Sequence, residues 1–177
     1  MTACKAVLQN MTPEISTLTA NLTSTDADTR AAAAEALGQM AADAAPAAVS
    51  LVEACRDADD RVREWAVAAL EDLGPPPEDA VSKLTFLVGD KNPLAGYWSA
   101  TLLGRCGEGA ASAVDALAKA VDAAADAAVR QRAAWALGQI GAAASPARGV
   151  LEKAAGSADE RLARLARAAL AGMKETG

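Results

Sequence analysis

Five leucines, Leu37, Leu70, Leu103, Leu137 and Leu170, recur at steps of 33, 33, 34 and 33 residues. A second column, Leu18, Leu51, Leu84, Leu117 and Leu151, keeps the same spacing of 33 or 34. Two all-leucine columns in one register mark an array built from one repeated supersecondary unit. Such a unit cannot bury its apolar stripe alone, so neighbouring units must stack into a continuous core.

The spacing inside each unit predicts a pair of helices. At 100° per residue, positions −8, −4, −1, 0 and +3 around the anchoring leucine share one face. In the second copy they hold Val62, Ala66, Ala69, Leu70 and Leu73; in the fourth, Val129, Ala133, Ala136, Leu137 and Ile140. The second helix sets Leu51 with Cys55, and Leu84 with Val88, four apart on its own apolar face. Asp28, Asp59, Asn92, Asp126 and Asp159 precede the first helices, where short polar side chains accept from open amides. Gly74, Gly107 and Gly141 are expected to end those helices in the left-handed conformation, with Pro13, Pro46 and Pro146 opening the next. The predicted helices lie near 14–23, 28–41, 47–55, 60–73, 78–88, 93–106, 111–121, 127–140, 146–155 and 159–172. A short additional helix is expected within residues 1–12. The small column Ala33, Ala66, Ser99, Ala133, Ala166 gives the 49 alanines a cause: helices must approach closely there.

The units share Arg-x-x-Ala-x-x-Ala-Leu-Gly-x-Ile/Met, a Gly/Ala-rich turn, a proline-led helix with a central leucine, and an Asp-rich turn. This pattern resembles the short HEAT-like repeats, including those of the phycobilin lyase type, over about residues 13–172. Two units depart from it: Glu71 stands for the first glycine in the second, and Gly96 for the arginine in the third. The resemblance implies an all-α fold, an α-solenoid forming a right-handed superhelix of about five repeats. It reads as a single array over 1–177: an incomplete first repeat at 1–25, four full repeats over 26–156, and a terminal half-repeat at 157–177.

Composition narrows the chemistry. The chain has no histidine, which excludes Ser-His and Cys-His nucleophilic dyads and imidazole-ligated metals. It likewise excludes the His-Glu metal motifs of HEAT-like hydroxylases. Seventeen basic against 23 acidic residues give a net charge of −6, against the broad positive field of nucleic-acid binders such as HEAT-like DNA glycosylases. The charge is uneven: residues 1–88 hold 6 basic and 14 acidic groups, residues 89–177 hold 11 and 9. Cys4, Cys55 and Cys106 fall in core columns, where cysteine acts as a small hydrophobe. No phosphate loop, zinc spacing or paired-carboxylate motif occurs. The start lacks a signal-peptide pattern and no apolar run is long enough to span a bilayer. These readings make the chain cytoplasmic and non-enzymatic, with no catalytic residue, cofactor or metal and no nucleic-acid or membrane partner.

The candidate binding residues are aromatic. Trp135 lies about 145° from the buried face by the helical-wheel angle, and Tyr97 also points outward. Trp65 and Trp98 share a flanking column continued by Arg132 in the next unit. Trp, Tyr and Arg are enriched at interface hot spots, so these five residues form a candidate partner surface. The bland alternative makes the tryptophans covers for neighbouring alanines, with Arg132 stacked on Trp98. In the second-helix layer, which the resemblance puts on the concave face, the outward column reads Ala20, Glu53, Phe86, Lys119, Lys153. Phe86 is its large apolar member and a further candidate anchor; a register shifted by one residue would instead bury it. Arg161, Arg164 and Arg167 step by three along the last helix and read first as the polar cap of a terminal repeat. The expected function is a protein-interaction scaffold or adaptor; the phycobilin-lyase resemblance offers a chromophore-handling or chaperone role as the alternative.

Overall fold

A computed structural model describes residues 12–173. Its described elements are helices and turns, in two compact units, Met1–Ala80 and Val81–Gly177. The first unit contains α1 (Pro13–Asn21), α2 (Ala27–Gln39), α3 (Ala48–Ala54) and α4 (Asp60–Asp72). Helix α5 (Ala80–Leu87) begins at the boundary. The second unit continues with α6 (Pro93–Arg105), α7 (Val114–Ala123), α8 (Ala127–Ile140), α9 (Arg148–Ala155) and α10 (Glu160–Gly172). The ten expected helices are all present; the helix expected at the extreme N-terminus, and Cys4, lie outside the described residues.

The leucine columns form the core of each unit. Leu37, Leu51 and Leu70 are fully buried in the first, and Leu84, Leu103, Leu117, Leu137 and Leu151 in the second. Leu18 and Leu170, in the first and last described helices, are half-buried. First helices pack on first helices: α2 on α4, α6 on α8, and α8 on α10. Their close approach needs small residues. A Cβ on Gly38 would touch the backbone of Ala69 at 3.5 Å, and one on Gly138 would sit 3.2 Å from the Ala169 Cα. This is why the repeat carries Leu-Gly inside a helix, where glycine otherwise costs about 1 kcal/mol.

The small column holds one anomaly. Ser99 is fully buried and its Oγ has no hydrogen-bond partner among the described residues, whereas Ala33, Ala66, Ala133 and Ala166 fill the same position elsewhere. A buried hydroxyl without a partner costs free energy. Ser99→Ala is therefore expected to raise the unfolding free energy by about 1 kcal/mol in urea titration. A loss of stability would mean that the hydroxyl is bonded after all.

The repeat arginine has a mechanical role. Arg30 donates from Nη1 to the carbonyls of Ser24 (2.8 Å) and Thr25 (3.3 Å). Arg63 does the same to Asp57 and Ala58, and Arg130 to Ala124 and Ala125, always six and five residues back. The guanidinium thus stitches α2, α4 and α8 each to the turn preceding it. Arg30 also pairs with Asp57 in two parallel contacts of 2.6 and 2.8 Å, and this hydrogen bonding holds the Asp57 carboxyl below the usual carboxylate range.

Several local expectations need correction. Asp26, not Asp28, caps α2, accepting from the Thr29 amide; Asp28 sits in the first turn and pairs with Arg61 at 2.8 Å. Asp59, Asn92, Asp126 and Asp159 cap their helices as expected. Pro46 and Pro146 do not open α3 and α9. They lie in 3₁₀ turns, Ala41–Ala47 and Gly141–Ala147, which draw the chain into the second helix two residues later. Gly107 and Gly141 are left-handed, but Gly74 is not: α4 leaves through an extended Leu73, and the proline run Pro75–Pro77 follows. After α2 the left-handed position is taken by Ala41.

Candidate interaction surfaces of the second unit

Helices α6 and α8 carry Tyr97, Trp98, Arg132 and Trp135, and the structure divides these four. Trp98 turns inward and is 7% exposed, meeting Tyr97 edge-on with centroids 5.3 Å apart. It is thus a core residue and not part of a partner surface. Arg132 does not stack on Trp98. Its guanidinium carbon lies 4.6 Å from the centre of the Tyr97 ring and 5.0 Å from that of Trp135, and it donates from Nη2 to the Tyr97 hydroxyl. Cation–π attraction on two rings and a hydrogen bond fix a long side chain that would otherwise sample many rotamers.

Trp135 departs from the helical-wheel expectation. Its ring is half-buried, because it folds across α6 onto Gly104: a Cβ there would lie 2.3 Å from Trp135 Cζ3 and 2.9 Å from Cε3. Position 104 is the Leu-Gly glycine of its repeat, so the spacing that elsewhere admits a helix backbone here admits an indole. The pairing was hidden from sequence reading, since it joins residues 31 apart through a glycine already explained by the motif.

A hollow of ≈370 Å³ opens beside this cluster. Tyr97, Arg132 and Trp135 line one side, and Arg161, Arg164 and Leu165 of α10 the other. Arg132, Arg161 and Arg164 meet no carboxylate among the described residues, whereas every described arginine of the first unit has one. Asp159, the nearest capping carboxylate in sequence, is occupied by Gln131 Nε2 at 2.9 and 3.1 Å and by the Leu162 amide at 3.0 Å. Arg167 turns away, donating to the Ala155 carbonyl at 2.8 Å.

Phe86 stands apart from this cluster. It is 83% exposed, as the outward column requires, and lines a groove of ≈500 Å³ with Val88, Ala120, Val129 and Lys119. The same groove recurs one repeat later, at ≈340 Å³, lined by Val121, Ala154, Leu162 and Lys153 with Arg130 inside it. At the position of Arg130 the earlier repeat has Gly96, whose Cα stands so close to the Val88 carbonyl that a Cβ would lie 3.2 Å from it. The groove of the repeat without the arginine is the larger of the two, and its lining mixes apolar residues with Asp90, Lys91, Lys119 and Asp126. Trp65, 41% exposed on α4, belongs to the first unit.

Neither of the two described thiols is poised as a nucleophile. Burial pushes Cys55 up to about 12 and Cys106 up to about 11, so both stay protonated near neutrality. Cys106 is only partly buried, where its core column predicted full burial. Among the described residues no group of His, Cys, Asp and Glu is placed to hold a metal, and no helix is long and apolar enough to cross a membrane.

Comparison with known proteins agrees with this architecture. The pattern of HEAT repeats matches residues 15–95, and that of the PBS lyase HEAT-like repeat matches residues 129–155. No curated protein matches the chain. Among solved structures, an engineered protein is 24% identical with a TM-score of 0.61, covering 92% of this chain and 80% of its own. A designed armadillo repeat protein in complex with the peptide (KR)4 is 20% identical, TM-score 0.64, with 90% and 81% covered. The complex of CpcE and CpcF of phycocyanin lyase from Nostoc sp. PCC7120 is 23% identical, TM-score 0.63. The match spans 91% of this chain and 65% of that one. With its leucine columns, its stitching arginines and its stacked helix pairs, the chain has the α-solenoid fold, and HEAT-type repeats are matched over residues 15–95 and 129–155.

Proposed function

We propose that this protein is a non-enzymatic interaction scaffold that holds a protein partner on the α6/α8 surface of its second unit. One observation carries the reading: Arg132 is fixed in advance against the half-buried rings of Tyr97 and Trp135 on the outer side of α6 and α8. Pre-ordered Arg and aromatic side chains lose little entropy on association, which is what makes them hot spots. The absence of histidine and the protonated Cys55 and Cys106 support a role without covalent chemistry. Related repeat folds that hold a peptide or a second protein chain support the partner class.

Trp135→Ala tests it. The variant is expected to keep its helical circular dichroism and lose capture of the partner from a lysate of the source cell. Undiminished capture would contradict the reading. A second reading, a chromophore-handling protein, draws on the larger groove beside Phe86 and the PBS lyase HEAT-like match. It predicts a coloured small molecule in the capture, lost on Phe86→Ser.

A further inference from the structure

Resting on that reading, we propose that the hollow between α6, α8 and α10 takes an acidic segment of a protein partner. It would seat a Glu or Asp carboxylate against Arg132, Arg161 and Arg164 and lay a neighbouring apolar side chain on Trp135 and Leu165. Charge complementarity points to this occupant. All the charged side chains lining the hollow are arginines, and none of them meets a carboxylate among the described residues. In the first unit, by contrast, Arg30, Arg56, Arg61 and Arg63 each find one. Planar guanidiniums suit bidentate capture of carboxylates, and Arg132 is held in place by the Tyr97 and Trp135 rings. Arg161 stands in the first turn of α10 and Arg164 one turn further on, so both present their guanidiniums to the same hollow. The half-buried rings and Leu165 give the site an apolar floor, so charge alone is not the whole of the recognition. A basic segment would meet three uncompensated positive charges.

A fluorescein-labelled octapeptide of alternating Glu and Leu is the probe, read by fluorescence anisotropy with the full chain at low salt. Saturable binding is expected. Arg161→Gln with Arg164→Gln should weaken it by about tenfold or more. Lys83→Gln with Lys91→Gln removes the same charge from exposed positions of the same unit outside the hollow, and should change it by less than about twofold. The matching Lys-Leu peptide should not bind. Equal losses in the two double variants would overturn the proposal in favour of a diffuse field, and no binding of the Glu-Leu peptide would overturn it outright. A concentration-dependent dimer of the protein alone in sedimentation velocity, lost in the Arg161→Gln/Arg164→Gln variant, would overturn it in favour of a second copy. If the peptide fails while Trp135→Ala still abolishes partner capture, the acidic chemistry is wrong and the scaffold reading stands. Capture that survives Trp135→Ala removes both.

Discussion

Gly104→Ala is expected to destabilise the second unit and expel the Trp135 ring, although the same exchange in an ordinary helix interior stabilises. Helix propensity favours alanine by about 1 kcal/mol. Against that, the added Cβ would lie 2.3 Å from Trp135 Cζ3, a separation no packing tolerates. Indole is rigid, so relief comes by rotating the ring outward or parting α6 from α8. Either costs about 1–3 kcal/mol, the usual range for an overpacked core. Once the ring leaves, Arg132 keeps only Tyr97. Urea unfolding should therefore shift to lower denaturant while tryptophan emission moves to the red. In a Trp135→Phe background, where Trp65 and Trp98 remain as the emitters, the red shift should disappear. A stabilised Gly104→Ala variant with unchanged emission would show that Trp135 does not lie on Gly104.

Leu103→Ala is expected to have the largest effect on stability, about 2–5 kcal/mol. Leu103 is fully buried in α6, which packs on α8, and α8 packs in turn on α7 and α10. In a stacked array each layer depends on its neighbours, so the cavity is felt beyond its own helix. Loss of α6 should take α8 with it in a single transition. Far-ultraviolet circular dichroism against temperature, with tryptophan emission recorded in parallel, checks this. Coincident transitions at lower temperature agree with the account, whereas a near-neutral, local effect would contradict the leucine register.

The repeat was legible because it is written in large apolar side chains at a fixed step. Leu37, Leu70, Leu103 and Leu137 needed no partner information to be placed in the core, and all four are buried. What escaped depends on contacts between repeats. Trp135 reads as outward on a helical wheel because the wheel counts only its own helix; the neighbouring Gly104 folds the ring down. Trp98, in the same flanking column as Trp65, is buried while Trp65 is 41% exposed. A column fixes a helical angle, not what stands opposite it. The 3₁₀ turns holding Pro46 and Pro146 were missed for a related reason: proline suits the first turn of an α-helix and a tight 3₁₀ turn alike. The departure at Gly96 was visible as a missing arginine. That the two grooves differ in size became visible only in the structure, where Arg130 lines the equivalent groove one repeat on.

Recognition is expected to reside on the Tyr97–Arg132–Trp135 surface and not in the groove beside Phe86. The most direct measurement compares partner capture by the unsubstituted protein, Trp135→Ala and Phe86→Ala from one lysate, each variant first shown to be folded by circular dichroism. One dominant protein is expected to be recovered by the unsubstituted chain and by Phe86→Ala and to be lost with Trp135→Ala. Loss with Phe86→Ala and retention with Trp135→Ala would contradict this and move the site to the groove beside Phe86.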